Sequence, residues 1–248
     1  SIWFEEILSF QEIQDSNSTT ESVKATLIKI LQMANTMNSN VFNNSEGFAV
    51  TTQLSFPRNW GLGTSSTLIN NIAQWFQIDA FELLQQSFGG SGYDIACAQN
   101  NNPITYVLLD GKPRVEKVVF KPEFAQNLYF VYLNQKRNSK SAIADYHTNK
   151  TKQLSSYIAA INTLTQDTIE ANNLELFTQL ISQHETVLSE ILKTKTVKDT
   201  LFPDFDGAVK SLGAWGGDFV MIVSKENPKP YFVSKGYETV IPYGEMIL

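Results

Sequence analysis

The sequence predicts an α+β fold in two parts. Helical spacing of apolar residues marks Ser22 to Met37 and Leu68 to Phe88, short apolar runs of strand length follow Asn100, and long helical patterns then give way to a β-rich end. In order, Val23, Leu27, Ile30, Leu31 and Ala34 put one apolar face on a first helix. Phe48 to Leu54, with Thr51 and Thr52 inside it, reads as a strand stopped by Pro57, which has no N–H to give a ladder. Gly61 to Ser66 leads into a helix carried by Leu68, Ile69, Ile72, Trp75 and Phe76, with the Thr/Ser cluster at its capping position. Phe81 to Phe88 is a further short helix, closed by Gly89-Gly90-Ser91-Gly92, and a helical turn starts near Tyr93.

Strands are expected over Thr105 to Leu109, Val115 to Phe120 and Leu128 to Leu133, with Asp110-Gly111 as a hairpin turn. Helices are expected over Ala142 to Leu164, Thr168 to Leu192 and Val197 to Val209. The end reads as two strands, Phe219 to Val223 and Lys229 to Val233, paired across Glu226-Asn227-Pro228. A domain cut falls between Glu123 and Gln126, giving parts 1–124 and 125–248.

Composition bounds the function. With 248 residues, 42% hydrophobic and 18% charged, the chain can bury a core without disulfides or metals, and no apolar run approaches the length of a membrane-spanning helix. A net charge of -6 argues against a nucleic-acid surface while permitting a local pocket for an anion. One cysteine, Cys97, cannot form an internal bridge, and with two histidines, His147 and His184, a Cys/His zinc site lacks ligands. A reducing cytoplasm is the expected location, with neither membrane nor nucleic acid as partner.

Three glycine clusters carry the chemistry. In Gly61-Leu62-Gly63-Thr64-Ser65-Ser66 the backbone can approach an anion closely, and the helix start that follows offers unpaired N–H groups at the positive end of its dipole. The plainer reading is a glycine turn with a Ser/Thr cap, and the segment alone leaves both open. It is not a Walker A loop, since no Gly-Lys-Ser/Thr follows, nor a dinucleotide fingerprint, since Ser66 stands at the third glycine. In Gly89-Gly90-Ser91-Gly92-Tyr93-Asp94, Asp94 either takes a hydroxyl proton or caps its helix. A hydrolase elbow centred on Ser91 is opposed by Tyr93 in place of the last glycine. Gly213 to Asp218 is a tight turn before a strand, and Lys136, Arg137 and Lys140 form a small basic group, either a solvated loop or an anion contact.

Taken together, Pro57-x-x-x-Gly61-Leu62-Gly63-Thr64-Ser65-Ser66, Ser91-Gly92-Tyr93-Asp94 and Gly213-Ala214-Trp215-Gly216-Gly217-Asp218 resemble, in order, three motifs of the GHMP kinases, closest to the mevalonate and phosphomevalonate kinase branch. The departures are Thr64 for a serine, Ser66 for an alanine and Trp215 for a glycine. The resemblance implies an N-terminal α+β domain, a C-terminal ferredoxin-like α+β domain and a nucleotide site in the cleft between them. It implies ATP and Mg²⁺ as cofactors and a small-molecule acceptor. On it, Gly61, Leu62, Gly63, Thr64, Ser65 and Ser66 would hold the triphosphate, Ser65 and Glu82 would meet Mg²⁺, and Asp94 would be the catalytic carboxylate. Ser91, Gly92, Gly213, Gly216 and Gly217 would line the substrate. The family's N-terminal strand, which supplies a basic residue near the catalytic aspartate, has no counterpart before Pro57. The expectation is a native start further upstream. Loss of that strand would instead leave a weak kinase or a nucleotide-binding relic with a regulatory role, and a third possibility is an interaction protein whose long C-terminal helices dock a partner.

Overall fold

Residues 2–15, 22–136, 154–213 and 217–247 are described by the structure, a computed structural model. The chain divides into two compact units, the first formed by Ser1–Leu54 and Gly63–Val118 and the second by Ser55–Leu62 and Val119–Leu248. The chain passes from the second unit into the first between Leu62 and Gly63.

The first unit holds α1 (Phe10–Asp15), α2 (Val23–Met37), α3 (Asn40–Asn43), α4 (Thr64–Phe76), α5 (Ala80–Ser87), α6 (Tyr93–Ala98) and the hairpin β1 (Ile104–Leu109) and β2 (Lys112–Lys117). Ser22 caps α2 by accepting from the N–H of Ala25 at 3.0 Å, and Asp79 caps α5 by accepting from Glu82 at 2.8 Å. These bonds satisfy donors that the first turn leaves orphaned. The apolar stripe of α2, at Ile30, Leu31 and Ala34, packs against Ile69, Ile72 and Phe76 of α4, Leu83 of α5 and Ile95 of α6. Each large side chain fully buried there contributes about 1.5–3 kcal/mol by leaving water. The hairpin turns at Asp110 and Gly111, both at positive φ (51° and 75°), the conformation a two-residue turn needs to follow strand twist.

The second unit is built on a four-stranded sheet of β3 (Leu128–Tyr132), β4 (Ala208–Ser211), β5 (Phe219–Val223) and β6 (Val240–Pro242), in the order β4-β5-β3-β6. Every neighbouring pair is antiparallel. Two helices, α7 (Leu154–Glu170) and α8 (Leu174–Leu192), precede β4, together with the short α9 (Val197–Leu201). A further helix, α10 (Lys229–Ser234), joins β5 to β6, and α11 (Tyr243–Met246) ends the unit. This interleaving, with the first and third strands central, is the ferredoxin-like order. Period-two alternation sorts the strands' side chains between two faces. Leu128, Ala208 and Val223 pack with Phe177, Leu180 and Ile181 of α8, whereas Val131, Val209, Val220 and Ile222 pack with Phe202, Phe205 and Phe232 on the other face.

The segment Ser55–Leu62 joins this unit for a physical reason. Trp60 and Leu62 pack on Phe130, Tyr132 and Phe219, the Trp60 ring standing at 79° to Phe219 with centroids 5.4 Å apart. The amide of Asn59 donates to the Tyr132 hydroxyl, which donates to the Asn59 carbonyl, both at 3.1 Å. The chain leaves the first unit at Val118, and the eight residues before Gly63 lie with the second.

Several expected elements differ. Phe48 to Leu54 is exposed and in no strand among the described residues, because β-branched residues form a strand only where a ladder partner exists. The second strand of the hairpin is Lys112–Lys117 rather than Val115 to Phe120, since a two-residue turn fixes Leu109 opposite Lys112 and an outer strand tolerates Pro113. The helix expected over Val197 to Val209 stops at Leu201, two residues before Pro203, and Ala208–Ser211 is β4. Lys229 to Val233 is helical, with Pro228 and Pro230 at its start and Lys229 N–H bonded to Asn227 Oδ1 at 3.0 Å, while β5 pairs with β3 and β4. β6 went unforeseen, its three residues being too few for a pattern. Of the helix expected from Ala142, the part before Leu154 lies outside the described residues, as do Arg137, Lys140 and His147.

Candidate active site

The glycine loop ends at α4, and the way α4 begins bears on the expected Ser/Thr cap. Gly63, in the left-handed region at φ 69°, is the N-cap, and no side chain caps the helix. Thr64, Ser65 and Ser66 are therefore its first three residues, not its cap. The expected Ser/Thr cap is corrected: Thr67 N–H and Thr67 Oγ1 both turn back to the Gly63 carbonyl, at 3.0 and 3.1 Å. The N–H groups of residues 64–66 have no carbonyl four residues earlier within the helix and lie at the positive end of its dipole. Ser65 is exposed and Thr64 and Ser66 are half-buried, so hydroxyls stand beside these amides.

A carboxylate lies against the same loop. A Cβ placed on Gly63 would stand 3.7 Å from both Cβ and Cγ of Asp94 and 4.0 Å from its Oδ1. Asp94 is the second residue of α6, whose N-cap is Gly92, so it does not cap its helix. Desolvation by the surrounding chain raises its pKa above the ordinary aspartate value even though part of the side chain meets solvent. A base with a raised pKa abstracts a proton more readily once ionised, which suits a carboxylate near a hydroxyl.

The Ser91-Gly92 turn is held by aromatic residues of its own unit. At Gly92, φ is 83°, and a Cβ there would stand 2.9 Å from Phe81 Cδ1 and 3.1 Å from the Tyr106 hydroxyl, so only glycine fits. That hydroxyl, from β1, donates to the Ser91 carbonyl. The Gln85 amide donates to the Gly90 carbonyl at 3.2 Å, and Tyr93 stands edge-on to Tyr106 with centroids 5.7 Å apart. Ser91 Oγ accepts from Tyr93 N–H at 3.3 Å. Desolvation raises the pKa of the Cys97 thiol, although the side chain stays exposed.

In the second unit, the third cluster closes on the first. A Cβ on Gly61, at φ 69°, would lie 2.2 Å from Oδ2 and 2.4 Å from Cγ of Asp218, so the carboxylate rests where any side chain would be. Gly213 has φ 63° and Gly217 is buried, while Ala214, Trp215 and Gly216 lie outside the described residues. Gly61 and Gly63 thus each face a motif aspartate of their own unit.

Glu82 stands differently. It is exposed at the first turn of α5, its N–H taken by Asp79 and its carboxylate accepting from Gln86 at 2.9 Å. Among the described residues no group of three or more His, Cys, Asp or Glu side chains forms a metal cluster. Mg²⁺ needs none: it keeps several waters and is often held by one or two protein oxygens plus phosphates, so the exposed Ser65 hydroxyl fits as one ligand of a phosphate-bound ion. No helix among the described residues is long and apolar enough to cross a membrane.

Comparison of the fold with solved structures agrees. Methanococcus jannaschii mevalonate kinase matches over 94% of this chain and 78% of its own, with a TM-score of 0.62 at 18% identity. The chain has the GHMP kinase fold. The phosphomevalonate kinase of Streptococcus pneumoniae, solved with phosphomevalonate and AMPPNP, matches 85% of this chain and 80% of its own, with a TM-score of 0.60 at 14% identity. The L. major mevalonate kinase solved with R-mevalonate gives 0.52 at 15% identity over 88% and 74%. No protein-family model and no curated protein matches the sequence. Within the GHMP fold, the α+β class and the ferredoxin-like sheet of the second unit are as expected. The Asp79 and Tyr106 contacts were beyond sequence reading; Asp79 alone left a signal, as Asp79-x-x-Glu82 has the form of a capping box.

Proposed function

We propose that the protein is an ATP-dependent small-molecule kinase that passes the γ-phosphoryl group to a hydroxyl or phosphate of a small metabolite, with mevalonate or phosphomevalonate as preferred candidates. The observation that carries this reading is the Asp94 carboxyl against Gly63, at the uncapped start of α4. Amides of Thr64, Ser65 and Ser66 would take phosphate oxygens, a stabilisation that needs no reorganisation because the helix fixes them. Gly61 and Leu62 would complete the cradle, and Ser91 and Gly92 would line the acceptor. Mg²⁺, when bound, neutralises charge on the phosphates, with Ser65 and Glu82 the residues to hold it.

For a hydroxyl acceptor the step balances simply. Asp94 takes or orients the hydroxyl proton, the acceptor oxygen bonds to the γ-phosphorus, and the bond to the β-phosphate oxygen breaks as ADP leaves. A phosphate acceptor has no such proton to lose, and Asp94 then only orients it. The neighbours whose structures carry phosphomevalonate with AMPPNP, and R-mevalonate, support the acceptor class by likeness of fold. The test is ADP release in a coupled assay with Mg-ATP and each candidate acceptor. Acceptor-dependent release supports the kinase, whereas saturable ATP binding without product supports a nucleotide-binding homologue that no longer reacts. Absence of both defeats the nucleotide reading.

A further inference from the structure

Glu185 of α8 is buried, with 6% of its surface exposed, and the reaction outlined above makes no use of it. Its Oε1 accepts from Lys210 Nζ at 3.1 Å and from Ser211 Oγ at 3.0 Å, and His184 Nδ1 lies 3.9 Å away, with no hydrogen-bond partner among the described residues. Lys210 Nζ also donates to the Ser211 carbonyl at 2.8 Å. Burial opposes the charge of Glu185, but His184, Lys210 and Ser211 outweigh it and hold the carboxyl below its ordinary pKa.

Two features make this more than a buried ion pair. Successive strand residues point to opposite faces, yet Lys210 and Ser211, the last two residues of the outer strand β4, both donate to one Glu185 oxygen. One atom thereby ties both residues at the end of β4. That end is also the root of the third glycine cluster: Ser211 pairs with Val220, Leu212 N–H donates to the Phe219 carbonyl at 3.2 Å, and between them lie Gly213 and Asp218, whose carboxylate meets Gly61. Buried ion pairs are often neutral for stability and are best attested as devices that specify one arrangement.

We propose that Glu185 is a positioning residue for phosphoryl transfer: through Ser211 and Lys210 it sets the end of β4, which is tied to the start of β5, and so the place of Asp218 against Gly61. This rests on the kinase reading for its consequence, not for its geometry. The experiment is hydrogen exchange of peptides covering residues 208–220, with steady-state kinetics, on the full chain and on Glu185→Gln and the milder Ser211→Ala. Expected are roughly tenfold faster exchange confined to those peptides, a fall in kcat of about 10- to 100-fold, and Mg-ATP affinity within about twofold of the wild type. Unchanged exchange there, or exchange raised equally throughout the second unit, overturns the proposal. A wild-type chain without ADP release sinks the kinase reading instead, and the exchange pattern still decides the clamp. Should Glu185→Gln fail to fold, Ser211→Ala carries the same test.

Discussion

Asp94 lies beside Gly63 closely enough that a side chain at Gly63 would touch its Cβ and Cγ at 3.7 Å. Two segments distant in sequence, one offering backbone donors and the other a carboxylate, therefore meet within the first unit. Neither has the local purpose that its residue types first suggest. The Thr/Ser cluster caps nothing, and Asp94 follows a glycine that already takes the cap position.

Replacing Asp94 by Asn separates chemistry from folding. Turnover is expected to drop by about 10²- to 10⁴-fold with Mg-ATP affinity little changed. Stability moves the other way. Because the folded pKa of Asp94 lies above its ordinary 3.8, the native state holds the proton longer than the unfolded chain, and ionisation withdraws stability as pH rises through that window. Asp94→Asn should therefore melt at or above the wild-type temperature at pH 7, and the difference should shrink on acidification below the ordinary value. Scanning calorimetry at several pH values checks this.

Gly61→Ala is expected to damage the loop more than Gly63→Ala. Both residues sit near φ 69°, which costs a residue with a Cβ about 1–2 kcal/mol, but only at Gly61 would the new atom coincide with a carboxylate, 2.2 Å from Asp218 Oδ2. Urea unfolding of both variants should show the larger loss for Gly61→Ala. Equal losses would mean that Asp218 moves aside freely.

Tyr106→Phe keeps the ring against Tyr93 and removes the donor to the Ser91 carbonyl. A loss of about 0.5–1.5 kcal/mol is expected. Limited proteolysis in the Gly89 to Gly92 loop should quicken, while cleavage in the second unit should not change.

Glu185 predicts an acid limb of opposite sign to Asp94. Its folded pKa is held below the ordinary 4.5, so the stability it supplies is complete above that value and is lost as pH falls through the folded pKa. In Glu185→Gln the decline in melting temperature below pH 4.5 should flatten, as thermal melts across that range would read.

Much of this was legible in the residues, and the failures share a cause. α2 begins one residue after the Ser22 that caps it, α5 was placed within a residue, and Asp110-Gly111 gave the hairpin its turn, because caps, helical stripes and tight turns are written in neighbouring residues. Phe48 to Leu54 and Lys229 to Val233 misled because a β-branched or aromatic run does not say whether a partner strand is present. In the candidate site the order of the three motifs is readable. The embrace of Gly61 by Asp218, and the engagement of Glu82 with Asp79 and Gln86, depend on contacts that no spacing encodes.

The most direct measurement is a titration of ¹⁵N-labelled protein with Mg-AMPPNP, followed at the backbone amides of Thr64, Ser65 and Ser66. The account predicts that these amides shift together and saturably, and still do so in Asp94→Asn. Amides at the start of α4 that stay in place while the nucleotide binds elsewhere, or fails to bind, would contradict it.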